Sequence, residues 1–162
     1  MRAELRRLER KAAWVETIER AFQKWRERTA YHEAGHAVVG YCHSRSTLRA
    51  LHLSTTGQPD SYTRVDAPDE DQIAIAFGGI FAESRFTGRE LTIYDAPGDC
   101  TALAEYLAKA PWVDVESKRQ CARTIVSTRW ALVEALAREL LAEGDLTGAQ
   151  ARQILADVEV EP

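Results

Sequence analysis

Apolar residues at Leu5, Leu8, Ala12, Val15, Ile18, Phe22 and Trp25 recur in steps of three and four. That spacing makes one stripe along a helix of about 24 residues that is charged elsewhere. A stripe of this kind has to be covered by the body of its own domain, by a second subunit or by a partner. Residues 30–43 (AYHEAGHAVVGYCH) predict a second helix. Residues 48–54 (LRALHLS) alternate as a strand does, residues 55–60 (TTGQPD) are rich in turn formers, and residues 61–65 (SYTRV) return as a second strand. A third helix opens at Ala67-Pro68-Asp69-Glu70, with acids placed to suit the helix dipole, and buries Ile73, Ala76, Phe77, Ile80 and Phe81. The Gly78-Gly79 pair inside it costs about 1 kcal/mol per glycine, and the expected return is close approach of another backbone. Residues 86–94 predict a loop. Pro97 fits the first position of a helix running to about Lys109, which Pro111 ends. One long helix is predicted from about Asp114 to Glu143, stopped by Gly144. Thr147-Gly148-Ala149-Gln150 fits a capping box for a short last helix carrying Ile154 and Leu155. The expected fold is mainly α with a small β-hairpin.

Composition narrows this picture. A chain of 162 residues that is 45% hydrophobic and 28% charged is sized for one globular core rather than two. No apolar run approaches the roughly 20 residues that span a bilayer, and no apolar segment follows Met1-Arg2-Ala3-Glu4 as a secretory signal requires. Cys42, Cys100 and Cys121 are few, odd in number and widely spaced, which points to a reducing, cytoplasmic setting and to small buried hydrophobes. Charge is uneven. Residues 1–28 hold nine Lys/Arg and five Glu, a balance of +4, so a chain of net −4 carries −8 in the remainder. A basic amphipathic helix is a candidate binder of nucleic acid or anionic lipid. Glu4, Glu9, Glu16 and Glu19 interrupt its positive field, and packing or self-association is the favoured expectation. The expected organisation is an N-terminal amphipathic helix over 1–28 and a second unit over 29–157.

The chemistry concentrates at His32-Glu33-Ala34-Gly35-His36, an H-E-x-x-H motif. On a helix, positions four apart share a face, so the two imidazoles can point at one metal ion. Glu33 projects beside them, within reach of a water that zinc would bring towards neutral pKa. Such a carboxylate can take the proton as the water attacks a peptide carbonyl, then hand it to the leaving amine. A catalytic zinc needs a third protein ligand and an open position. His43, His52, Glu70, Glu83, Asp95 and Asp99 are candidates. Asp99 stands in the first turn of a helix, where it can equally be a dipole or capping acid.

Residues 29–40 (TAYHEAGHAVVG) strongly resemble the zinc-site helix of FtsH-type ATP-dependent metalloproteases. Residues 76–83 (AFGGIFAE) are similar to that family's glycine-pair helix, and residues 94–104 (YDAPGDCTALA) to its segment carrying the third ligand. Residues 125–155 are similar to its closing helices. The resemblance covers residues 29–155. It implies the FtsH peptidase-domain fold, His32, His36 and Asp99 as ligands of Zn2+, Glu33 as catalytic base and Glu83 as support for a ligand histidine. It also implies that Leu51, His52, Leu53 and Ser54 border the cleft, where an extended polypeptide substrate pairs with a strand edge.

The family carries membrane helices and an ATPase module, and neither a Walker motif nor a membrane run stands here. The expectation is therefore a stand-alone, ATP-independent zinc endopeptidase that cuts flexible or unfolded polypeptide, or works with a separate unfoldase. The family's ring is hexameric, so a homo-oligomer is allowed. The competing expectation is a catalytically silent zinc-binding regulatory module.

Overall fold

The computed structural model describes residues 2–160. Helix accounts for 72% of the chain, with a small three-stranded antiparallel sheet, so the fold is mainly α. The stripe helix and the motif helix are a single helix, α1, Arg2–Tyr41. The residues between them, Arg26-Glu27-Arg28-Thr29-Ala30, contain no breaker, and most are good helix formers. The helix therefore passes through positions 28 and 29 without interruption. From Ala30 onward it enters the core through Ala30, Ala34, Ala37, Val38 and Val39.

β1 (Thr47–His52) and β2 (Tyr62–Asp66) form the expected hairpin. A third strand, β3 (Asp145–Thr147), is added on the far side of β1, so the order is β2-β1-β3. Three residues are too few to show alternation, and the strand exists because Leu51 and Leu146 pair across it with both side chains buried. β1 is thereby the central strand, and the edge beside the motif helix is β2.

α2 (Asp69–Thr87) is buried almost all round between Ile73 and Ala82, rather than on one face. It is the central helix, packed against α1 on one side and against α3 (Pro97–Lys109) and α4 (Val115–Thr128) on others. The glycine pair has the expected cause. Helices α1 and α2 cross at Gly35 and Gly78, where a Cβ on Gly78 would stand 2.6 Å from the Gly35 carbonyl oxygen and one on Gly35 would strike the Gly78 carbonyl.

The long helix predicted over 114–143 is two helices, α4 and α5 (Trp130–Glu143), broken at Arg129. Ser127 and Thr128 donate their hydroxyls back to the Thr124 carbonyl, a local bonding pattern that bends a helix. The break lets α4 cover α2 while α5 covers α1. α6 (Gly148–Val160) starts with the expected capping box: Gln150 N–H donates to the Thr147 hydroxyl at 3.2 Å, and Thr147 N–H donates to Gln150 Oε1 at 2.9 Å. The cysteines are not core residues. Cys42, just past the end of α1, and Cys121 on α4 are exposed, and Cys100 on α3 is half-buried. No helix among the described residues is long and apolar enough to cross a membrane.

Candidate metal centre

The second half of α1 brings His32 and His36 one turn apart, with their Nε2 atoms 3.1 Å from each other. Asp99 arrives from the first turn of α3, which Pro97 starts as expected. Its Oδ2 lies 2.9 Å from His32 Nε2 and 3.3 Å from His36 Nε2. Three ligand atoms, one from each residue, thus cluster from two elements, with His32 and Asp99 67 residues apart in the chain. Tetrahedral zinc with bonds of about 2.0–2.1 Å sets its ligand atoms roughly 3.3 Å apart, so the donor set fits that ion with little movement.

The outer atoms of both rings are anchored. His36 Nδ1–H donates to the Ile75 carbonyl at 2.7 Å, and His32 Nδ1–H donates to Glu83 Oε2 at 3.1 Å. These bonds leave each Nε2 facing the cluster, so that loss of its proton there gives the tautomer a metal requires. Glu83 is held in turn by Arg28, whose Nε donates to Oε1 at 2.9 Å. Gly79 forms the floor. A Cβ there would lie 2.5 Å from His36 Nε2 and 2.6 Å from His32 Nε2, so only glycine leaves room for the two rings.

The electrostatics favour a cation. Burial works against a charged His32, yet hydrogen bonds to Asp99 and Glu83 outweigh it and push its pKa up to about 10. His36 is also raised, burial being overcome by the Asp99 carboxylate. Asp99 and Glu83 are held below the usual carboxylate range against the effect of burial, Asp99 by both histidines and Glu83 by His32 and Arg28. A divalent ion would take over the positive charge that the shared protons supply.

Glu33 is 6% exposed. The Thr63 hydroxyl donates to its Oε2 at 2.7 Å, which ties the carboxylate to β2. A cleft of about 280 Å³ opens on His32, Glu33 and Asp99, walled by Trp25, Thr29 and Pro97. A second hollow of about 210 Å³ reaches His36 and Asp99 from the side of Thr63, Gln72 and Tyr106. The cluster is therefore approached from two sides.

The other ligand candidates are engaged elsewhere. His43 bonds the Val39 carbonyl at 2.7 Å, and His52 bonds Asp145 at 2.6 Å. Glu70 pairs with Arg45, and Asp95 accepts from the Thr92 N–H at 2.7 Å. The expected substrate strand at Leu51, His52, Leu53 and Ser54 is largely enclosed. Leu51, Leu53 and Ser54 are buried, and β1 is paired on both sides, so no edge is free there. Three contributors escaped the sequence reading: Arg28, Thr63 and the floor role of Gly79. Arg28 stands four residues before His32, so helix periodicity alone points it at the same face. Thr63 carries no such signal, because its role depends on the sheet meeting α1.

A scan against models of known protein families finds no match to this chain, and neither does a search of curated proteins.

Proposed function

We propose that this protein is a zinc-dependent endopeptidase with an FtsH-like peptidase site. The observation that carries the reading is the convergence of His32 Nε2, His36 Nε2 and Asp99 Oδ2 beside a buried glutamate. His32, His36 and Asp99 would hold the ion, and zinc bound there would supply Lewis acidity that lowers the pKa of water and polarises a carbonyl. Glu33 does the proton work. It accepts a proton as water adds to the scissile carbonyl carbon, then returns it to the amine nitrogen as the C–N bond breaks. Thr63 holds Glu33 against free rotation. Arg28 and Glu83 hold the ring of His32.

β2 is the edge suited to an extended substrate. It is the outer strand of the sheet and carries Thr63 beside the catalytic carboxylate. Gln72 caps the Val65 carbonyl at 2.7 Å, which leaves the Tyr62–Arg64 part of the edge for pairing. A cleft of this size admits an extended or unfolded segment rather than a folded domain, so cleavage falls on flexible polypeptide or on chains opened by a separate unfoldase.

Zinc content and cleavage of an unfolded casein or a peptide library test the reading together. Wild type is expected to bind one zinc per chain and to cut. Glu33→Gln keeps the zinc and loses activity by about 10²–10⁴-fold, while His36→Ala loses both. Zinc bound equally by wild type and Glu33→Gln, with no cleavage by either, would replace the peptidase with a silent metal-binding module.

A further inference from the structure

The first half of α1 does not cover the body of the protein. Leu8, Trp14, Val15 and Ile18 are 59%, 67%, 42% and 47% exposed, and only at Phe22, which touches Gly57, does the stripe begin to meet the rest of the chain. A helix of about 20 residues with no tertiary support is marginal in water, and an apolar stripe this long on a projecting rod calls for a partner helix.

The stripe itself selects the partner. Leu8, Ala12, Val15, Ile18 and Phe22 are spaced four, three, three and four apart, a pattern that reads the same in both directions from Val15. Two charges sit inside the stripe, Lys11 four residues before Val15 and Glu19 four residues after it. Among the described residues the one ion pair in this stretch joins Arg20 to Glu16, so neither Lys11 nor Glu19 is matched within the chain. We infer that the N-terminal half of α1 pairs with a second copy of itself, antiparallel, about a two-fold axis at Val15. The axis sets Leu8 against Phe22, Ala12 against Ile18 and Val15 against its own equivalent. Lys11 of each copy meets Glu19 of the other, twice per dimer. Parallel pairing in register is disfavoured, because it sets Lys11 against Lys11 and Glu19 against Glu19 at the seam. The interface is isologous and closed, so it joins two copies and no more. This inference is independent of the peptidase reading.

Light scattering of the full chain after size exclusion tests it. Wild type is expected at twice the 18.2 kDa chain mass. Val15→Glu is expected at the single-chain mass, with a loss of helical circular dichroism no larger than the unpaired segment can account for. Lys11→Glu and Glu19→Lys each turn two attractions into two repulsions and weaken the dimer by about tenfold or more. The double variant Lys11→Glu/Glu19→Lys restores the pairs and returns the dissociation constant to near the wild-type value. Three results overturn the inference: a wild type of single-chain mass, which gives the stripe to another kind of partner; an assembly that survives Val15→Glu; or a double variant no tighter than the single ones.

Discussion

Gly79 is a residue whose worth lies in what it lacks. Both imidazole Nε2 atoms occupy the space a methyl group would fill, at 2.5 and 2.6 Å from its would-be position. Gly79→Ala is expected to fold with a loss of about 1–3 kcal/mol and to lose most of its zinc affinity, because the rings must swing away from Asp99. Metal titration against a chelating indicator, with a thermal melt, checks both effects. The same cluster sets a pH signature. His32 is raised from 6.5 to about 10, so its contribution to stability is full below pH 6.5 and is lost as the pH climbs towards 10. Asp99 and Glu83 are lowered, so their contributions are full above the ordinary carboxylate range and are lost as the pH falls through and below it. With zinc removed by a chelator, melting temperature is expected to peak between about pH 4.5 and 6.5. The gain in melting temperature on adding zinc is expected to grow as the pH rises, since the ion competes with protons for the two Nε2 atoms. A zinc gain that is flat across pH 6–9 would contradict this arrangement.

At the scale of elements, the site depends on how closely α1 and α2 approach. Gly35 and Gly78 face each other at the crossing, and each would drive a Cβ into the other's backbone. Gly35→Ala lies inside the H-E-x-x-H motif, yet its main effect is expected to be on the fold. Backbone cannot yield as a side-chain end does, so a loss of about 2 kcal/mol or more in urea unfolding is expected. The elements differed in how plainly the sequence announced them. Pro97, the Thr147–Gln150 box and the Gly78-Gly79 pair each carry a local physical cause, and each appears where that cause puts it. The missed boundaries carry no marker of comparable strength. Nothing between Trp25 and Tyr31 either breaks or compels a helix, so the union of two segments into α1 depends on chain continuity alone. The break at Arg129 rests on two hydroxyls bonding back to one carbonyl, and β3 exists only because Leu146 finds Leu51.

At the scale of the whole molecule, charge and apolar surface are partitioned. The stripe half of α1 lies in a segment of balance +4, while the remainder, carrying His32, His36 and Asp99, has −8. Most of the cluster could be read from the chain, because His32, Glu33 and His36 need only helix geometry to converge. Asp99 needed the resemblance: spacing left six candidates, of which His43, His52, Glu70 and Asp95 are bonded elsewhere and Glu83 bonds the outer nitrogen of His32. The outer edge of the sheet beside α1 could not be read at all. Which of two hairpin strands lies outside is decided by β3, which joins the sheet almost a hundred residues after β1.

One uninterrupted helix has a mechanical outcome. Val15 and His32 are joined by 17 residues of α1 with no proline, hence about 25 Å of stiff rod. Whatever grasps its outer end holds a handle rigidly joined to the turn bearing both imidazoles. A tilt or rotation imposed there would shift those rings relative to the Asp99 carboxylate, which rides on a different helix. The spacing of the three ligand atoms is thereby exposed to leverage from well outside the cleft.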